Sequence, residues 1–284
     1  MSFSTFSAEK PGEITERVLA RSRRVLVYGE MGAGKSTLVA ALARHLAEAG
    51  TANYVIGADP GSPAFGVPGA VCVGQWQGNG LQLLACEALC SLNAGRFRLP
   101  LIQGVQRLIA SLDVPLLLID APGVTRGVAG AELLTGLIET AAVDTVLLVV
   151  GKDKPAPMKN ELSASGVEIL CVTASGQAHL PGRRRRIEYR TLLWHTHLVE
   201  IPETRIPIDR YPLVGTPPPT ADGNQWRGRQ IALLDKGHTL AMGEVLSVEE
   251  HHLRVQLPEP LPAANQLLVR DAARNADGFL TTVP

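Results

Sequence analysis

Apolar residues follow two rhythms along the chain. Short, nearly continuous apolar runs at Arg24–Tyr28, Asn53–Ile56, Leu116–Ile119, Thr145–Val150 and Val167–Val172 have the length of strands buried on both faces. Between them, apolar positions recur at helical spacing over Lys35–Ala49, Gly104–Ser111 and Ala131–Ala141. Strands alternating with helices predict a parallel sheet covered on both faces, because a parallel connection must cross back over the sheet. Ahead of this block, residues 1–22 read as a polar lead-in with helical character over Glu13–Arg21.

After about Arg205 the rhythm is lost. The stretch "PIDRYPLVGTPPPTADG" is rich in Pro and Gly and has no period, so residues 205–227 read as a linker or irregular arm. Beyond it, short strand-like runs follow at Arg229–Leu234, Thr239–Leu246, His252–Gln256 and Gln266–Val269, and "DKGHT" at Asp235–Thr239 is a hairpin signal. The expected organisation is an α/β domain over residues 23–204 and a small C-terminal β domain over 228–284.

Composition adds exclusions. The 284 residues are 45% hydrophobic and 19% charged, enough apolar material for a core. Lys+Arg and Asp+Glu balance at 27 each, so net charge gives no sign of a strongly basic nucleic-acid binder, while a local patch stays open. Cys72, Cys86, Cys90 and Cys171 form no CxxC pair and read as buried free thiols; Cys86 and Cys90, four apart, could share a helical face. No apolar run is long enough to span a bilayer, and the first residues lack a basic segment followed by an apolar one. Neither export nor a membrane is expected, and a reducing cytoplasm is the expected setting.

The stretch Gly29–Ser36, "GEMGAGKS", satisfies G-x-x-x-x-G-K-[ST] between a predicted strand and a predicted helix. A random chain of this length would match on the order of one per cent of the time. Each part has a physical role. Glycines let the backbone turn so that amides point inward, and the following helix adds its positive end. Gly29, Glu30, Met31, Gly32, Ala33, Gly34, Lys35, Ser36 and Thr37 are therefore expected to hold the phosphates of a nucleoside triphosphate. Lys35 reaches the β- and γ-phosphates, and the Ser36 hydroxyl ligates Mg²⁺.

Two carboxylates end predicted strands. Asp120 closes "PLLLIDAPG", apolar residues running into Asp, and is the expected metal-side acid. Asp59 follows the second strand in "YVIGADPGSPAFGVPG", where Asp-Pro-Gly is also good turn chemistry. Farther on, Leu180–Leu198 gathers Arg183, Arg184, Arg185, Arg186 and Arg190, with Arg186 and Arg190 on one helix face. Such a run can be a solvated face, a lid over a triphosphate, or a grip on a nucleic-acid backbone. His195 and His197 fall on different faces of that helix and make a poor metal pair. A guanine-reading [NT]-K-x-D is absent after the Thr145–Val150 run, where Lys152 and Asp153 are adjacent. "DAPG" at Asp120–Gly123 nevertheless has the form of a switch D-x-x-G.

From about Arg23 onward the chain resembles the polynucleotide 5′-hydroxyl kinases, a family that includes the kinase subunit of pre-mRNA 3′-end processing, the nucleolar pre-rRNA kinase and archaeal RNA kinases. The phosphate loop and first helix match. "ADPGSPAFGVPG" is similar to the family's Asp-Pro-Gly-Gln segment and the Pro-Gly turn after it, with Ser62 in place of the Gln. "IDAPGVTRG" is similar to its Asn-Thr-x-Gly-Trp clasp, with Asp120-Ala121 for Asn-Thr and Val124 for the Trp. "RRRRIEYRTLLW" falls where the family has its arginine lid, about residues 180–198, and "GRQIALLDKGHTLAMGEVLSVEE" resembles its C-terminal β domain.

The resemblance implies an α/β P-loop NTPase fold, with a parallel sheet, helices on both faces and a small C-terminal β domain. It implies an ATP- and Mg²⁺-dependent kinase that moves the γ-phosphate onto a 5′-hydroxyl end of RNA or DNA, taken as single-stranded. In that transfer Asp59 is the base, Lys35 holds the phosphates, Ser36 ligates Mg²⁺, and Arg186 and Arg190 stabilise the transferring group; the apolar run into Asp120 separately places that carboxylate on the metal side. Two other readings remain open: a regulatory or metallochaperone-like nucleotidase, and a non-catalytic ATP-binding scaffold.

Overall fold

The computed structural model describes residues 4–6, 12, 14, 16, 22–112, 115–151, 154–174, 182–219, 222–259 and 261–284. The helix expected over Glu13–Arg21 lies outside the described residues except at Ile14 and Glu16, both helical. Lys152 and Asp153 also lie outside them.

The first sheet draws on β1 (Ser4–Phe6), β2 (Arg24–Gly29), β3 (Tyr54–Gly57), β4 (Ala70–Gln77), β5 (Gly80–Ala88), β6 (Leu117–Asp120), β7 (Thr145–Val150) and β8 (Glu168–Thr173). Its order is β1-β8-β7-β2-β6-β3-β4-β5. The block from β1 to β3 is parallel, as the alternating pattern predicts; β4 and β5 extend it as an antiparallel hairpin. That hairpin was absent from the expected strands, although Gly78-Asn79 supplies its two-residue turn.

The strand runs split by parity, because successive side chains leave a strand on opposite faces. Val25, Val27, Val55, Leu118 and Leu147 join one core layer; Leu26, Tyr28, Ile56, Ile119 and Leu148 join the other. Helix α1 (Lys35–Glu48) covers the first layer with Val39, Leu42 and Leu46. Helices α2 (Arg98–Ala110), α3 (Gly127–Thr140) and α4 (Lys159–Ala164) cover the second with Leu101, Leu134 and Leu162. Helix α2 starts earlier than the expected Gly104, with Pro100 inside its first turn. Proline is tolerated there because an amide at that position lacks an intrahelical acceptor anyway.

Helix α5 (Arg183–Leu198) buries Trp194 and Leu198 on the α1 side. The second sheet then follows: β9 (Glu203–Pro207), β10 (Leu213–Gly215), the short helix α6 (Gly223–Trp226), β11 (Arg229–Asp235), β12 (His238–Glu249), β13 (His252–Gln256), β14 (Gln266–Arg274) and β15 (Leu280–Thr282). The order is β10-β14-β11-β12-β13-β9, with β15 on β14. The Pro/Gly-rich stretch expected as a linker is thus partly built into this sheet. β9 pairs with β13 and β10 with β14, and Trp226 of α6 is fully buried. The β11–β12 turn has Lys236 at φ 50 and Gly237 at φ 84, the left-handed pair that a two-residue hairpin needs.

Alternation again sets the contacts. Ile231, Leu233 and Val269 face a core of their own with Trp226, whereas Ala232, Leu234 and Leu268 face the first core layer of the α/β sheet. Polar bonds reinforce the seam: Gln230 Nε2 donates to Pro68 O (2.9 Å), the Ala88 amide to Thr239 Oγ1 (2.8 Å), and the Ala272 amide to Cys90 O (3.0 Å). Cys86 lies on β5 with Cys90 in the loop after it, so no helix carries them; all four cysteines are free thiols. Among the described residues no helix is long and apolar enough to cross a membrane.

Candidate active site

The phosphate loop leaves β2 at Gly29, where a Cβ would run into the Val149 carbonyl of the neighbouring strand β7. Gly32 (φ 80) and Gly34 (φ 94) take the left-handed turn that only glycine enters cheaply. Gly34 caps α1 without any side-chain bond, so the first amides of the helix face the loop. Lys35 is 7% exposed, and its Nζ donates to Glu30 O (3.1 Å), a contact that folds the lysine back over the loop.

Asp120 ends β6 directly between Val27 of β2 and Gly57 of β3. It is buried, and its carboxyl is pushed up to about 6. Desolvation is the main cause; the Ser36 hydrogen bond and the Lys35 charge pull the other way, and Asp59 adds a push upward. Burial likewise lowers Lys35 against the attraction of Asp120 and Asp59. Desolvation therefore outweighs the attraction on both sides of this pair. Asp120 Oδ1 has no hydrogen-bond partner among the described residues. An orphaned, desolvated carboxylate oxygen beside a serine hydroxyl is a donor set that suits a hard divalent cation such as Mg²⁺.

Asp59 stands one strand over, two residues past β3. Its Oδ1 accepts the amides of Gly61 and Ser62, both at 3.0 Å, which makes the Asp-Pro-Gly turn and aims the side chain. The loop is closed by the Gly69 amide on Pro60 O (3.0 Å), and the Val67 amide rests on Cys72 Sγ (3.3 Å). The turn reading and the functional reading of Asp59 are compatible, because the turn engages one carboxylate oxygen.

Helix α5 lies across both loops. Arg186 Nη1 donates to Met31 Sδ of the phosphate loop (2.8 Å), while its Nε is buried without an acceptor among the described residues. One turn on, Arg190 Nε donates to Leu280 O (2.8 Å) and Nη1 to Gly61 O of the Asp59 loop (3.4 Å). Burial and the charges of Arg186 and Arg183 lower the Arg190 pKa; Asp59 offsets them in part. Lys35, Asp59, Asp120, Arg186 and Arg190 are thus brought together at the ends of β2, β3 and β6. His197 stacks on Trp194 instead of serving a metal, with ring centroids 5.2 Å apart.

Two features escaped sequence reasoning. Glu30 in the phosphate loop pairs with Arg126 Nη2 (2.9 Å) and Lys154 Nζ (3.6 Å), and the Arg126 bond holds its carboxyl below the usual range. A cavity of about 380 Å³ lies beside this pair, lined by Glu30, Met31, Gly123, Val124, Thr125 and Arg126. Gly123 is forced by the loop above it: a Cβ there would sit 2.9 Å from Met31 Cβ and 3.0 Å from its Cα. A basic residue at the start of the helix that follows the Asp120 strand was the available signal for Arg126.

A family described as methylmalonyl-CoA mutase-associated GTPase MeaB has a profile that matches residues 9–75, which takes in the phosphate loop and the Asp59 loop. No curated protein matches the chain. Among solved structures, the wild-type Clp1p–Pcf11p complex is similar with a TM-score of 0.72 at 14% identity, over 92% of this chain and 77% of that one. A second Clp1p–Pcf11p structure, concerned with an extended interface and ATP loss in a point mutant, gives a TM-score of 0.72 at 15% identity, over 92% and 78%. At that identity the likeness is one of fold. Together with the MeaB match over the phosphate loop, it shows an α/β P-loop NTPase fold.

Proposed function

We propose that the chain is an ATP-dependent polynucleotide 5′-hydroxyl kinase. One observation carries the reading: a single arginine helix touches the phosphate loop at Met31 and the Asp59 loop at Gly61. Arg186 on the one and Arg190 on the other support a phosphate donor and a candidate base set under one helix. Hydrolysis requires only a positioned water, whereas a carboxylate held on a separate loop opposite the phosphates suits an alcohol acceptor. Likeness to the Clp1p structures agrees with this.

Ser36 and Asp120 would hold Mg²⁺, which supplies charge neutralisation at the phosphates. The Gly61 and Ser62 amides pin Asp59 Oδ1, leaving Oδ2 to take the proton of the acceptor hydroxyl. The freed oxygen attacks the γ-phosphorus, the bond to the β-phosphate oxygen breaks, and ADP departs. Lys35 leaves Glu30 O to meet the phosphates. The orphaned Arg186 Nε donates to the transferring group, where charge spreads over the equatorial oxygens.

A second reading is favoured by the MeaB match and by Gly123 packed under the phosphate loop: a GTP-hydrolysing switch. The discriminating experiment supplies γ-labelled ATP or GTP with Mg²⁺ and short 5′-hydroxyl RNA or DNA. The kinase transfers label to the 5′ end, and Asp59→Asn lowers kcat by about 10²–10⁴-fold with nucleotide affinity kept. Free phosphate from GTP without end-labelling would establish the switch instead.

A further inference from the structure

Tyr189 has no part in the mechanism above, yet it is placed as a binding group. It lies one turn beyond Arg185 on α5 and is followed by Arg190. Its hydroxyl donates to Ala64 O (3.2 Å), five residues past Asp59 on the same loop. The residue is nevertheless 47% exposed. A half-exposed tyrosine fixed at its tip is pre-organised, so a planar ligand landing on it costs little side-chain entropy.

The surroundings select the ligand. Arg183, Arg184 and Arg185 are exposed, and among the described residues only Arg184 has an acidic partner, Glu188 at 2.8 Å. An aromatic face flanked by unneutralised guanidinium groups matches a chain of bases on an anionic backbone. A protein partner with an acidic face would use the arginines but would have no need of the ring.

We propose that Tyr189 is the stacking platform for the 5′-terminal base of a single-stranded polynucleotide acceptor, with Arg183 and Arg185 receiving the phosphates that follow. This rests on the kinase reading and names the part of the acceptor that the site grips. Stacking on every base face is tolerant of sequence, so the platform selects an unpaired end over a duplex end and discriminates weakly among bases.

The test uses short 5′-hydroxyl oligonucleotides with 2-aminopurine as the terminal base, whose fluorescence is quenched on stacking. Wild type and Tyr189→Phe, which keeps the ring, should quench it. Tyr189→Ala should abolish quenching and raise the acceptor KM about five- to a hundredfold, with kcat and ATP affinity within about twofold. A merely structural role would move thermal stability and ATP affinity together and leave the quench intact. If Tyr189→Ala quenches and transfers label like wild type, the platform is overturned and the kinase stands. If wild type neither quenches nor end-labels, both are overturned.

Discussion

Asp120→Asn isolates the cost of the buried carboxylate. In the folded chain burial pushes this carboxyl up to about 6, from about 3.8 for a free aspartate. At about 1.36 kcal/mol per unit, ionised Asp120 opposes folding by about 3 kcal/mol. The sign follows from proton counting. Between about pH 4 and 6 the folded state holds a proton that the unfolded state releases, so stability falls as pH rises through that window and levels off above it. Asn removes the charge but also removes the attraction on the buried Lys35, which returns part of the gain. The expected net is about 1–2 kcal/mol of added stability at pH 7.5 without metal, or about 2–6 °C in Tm, and close to none at pH 4. Calorimetry of both proteins in chelator at the two pH values measures it. Adding Mg²⁺ and nucleotide should reverse the ranking, because ligand at a hundred times its Kd stabilises only wild type by about 2.7 kcal/mol. A variant less stable than wild type at pH 7.5 in chelator, or an equal difference at both pH values, would refute the desolvation argument.

Gly123→Ala places a Cβ against the Met31 backbone and must displace the phosphate loop; nucleotide Kd by titration calorimetry should rise about tenfold or more, an overpacking cost of about 1–3 kcal/mol. An unchanged Kd would show that the loop yields freely. Trp194→Phe deletes the buried bond from Nε1 to Glu244 Oε2 (2.6 Å), and urea unfolding should show a loss of about 1.5–3 kcal/mol, the range for bonds to charged groups. A loss below about 0.5 kcal/mol would mean that Arg274, which also holds Glu244, suffices alone.

The parallel half of the fold was legible because its strands are buried on both faces and read as unbroken apolar runs. The phosphate loop, Asp120 at a strand end and Asp59 in the loop just past one were legible because their sequence signals are local: a turn, a helix start, an acid after an apolar run. The β4–β5 hairpin was not, since β5 is an edge strand whose exposed Gln82, Leu83 and Leu84 give no clean alternation. β10 is three residues long and owes its existence to a parallel partner more than fifty residues away, which no local pattern encodes. The same holds for Glu30 and Arg126. Each looks like an ordinary surface charge until the fold brings them across 96 residues of chain.

Helix α5 is a cantilever. Its last turns are clamped by buried Trp194 and Leu198, while its arginine end rests on neighbouring loops through side-chain bonds alone. Its cations repel one another: burial is the main reason the Arg190 pKa is lowered, and the charges of Arg186 and Arg183 add to it. A triphosphate beneath the tip cancels the repulsion. On the proposed function the substrate is then part of the site's own electrostatic balance: the anion that the arginines face is what offsets their mutual repulsion.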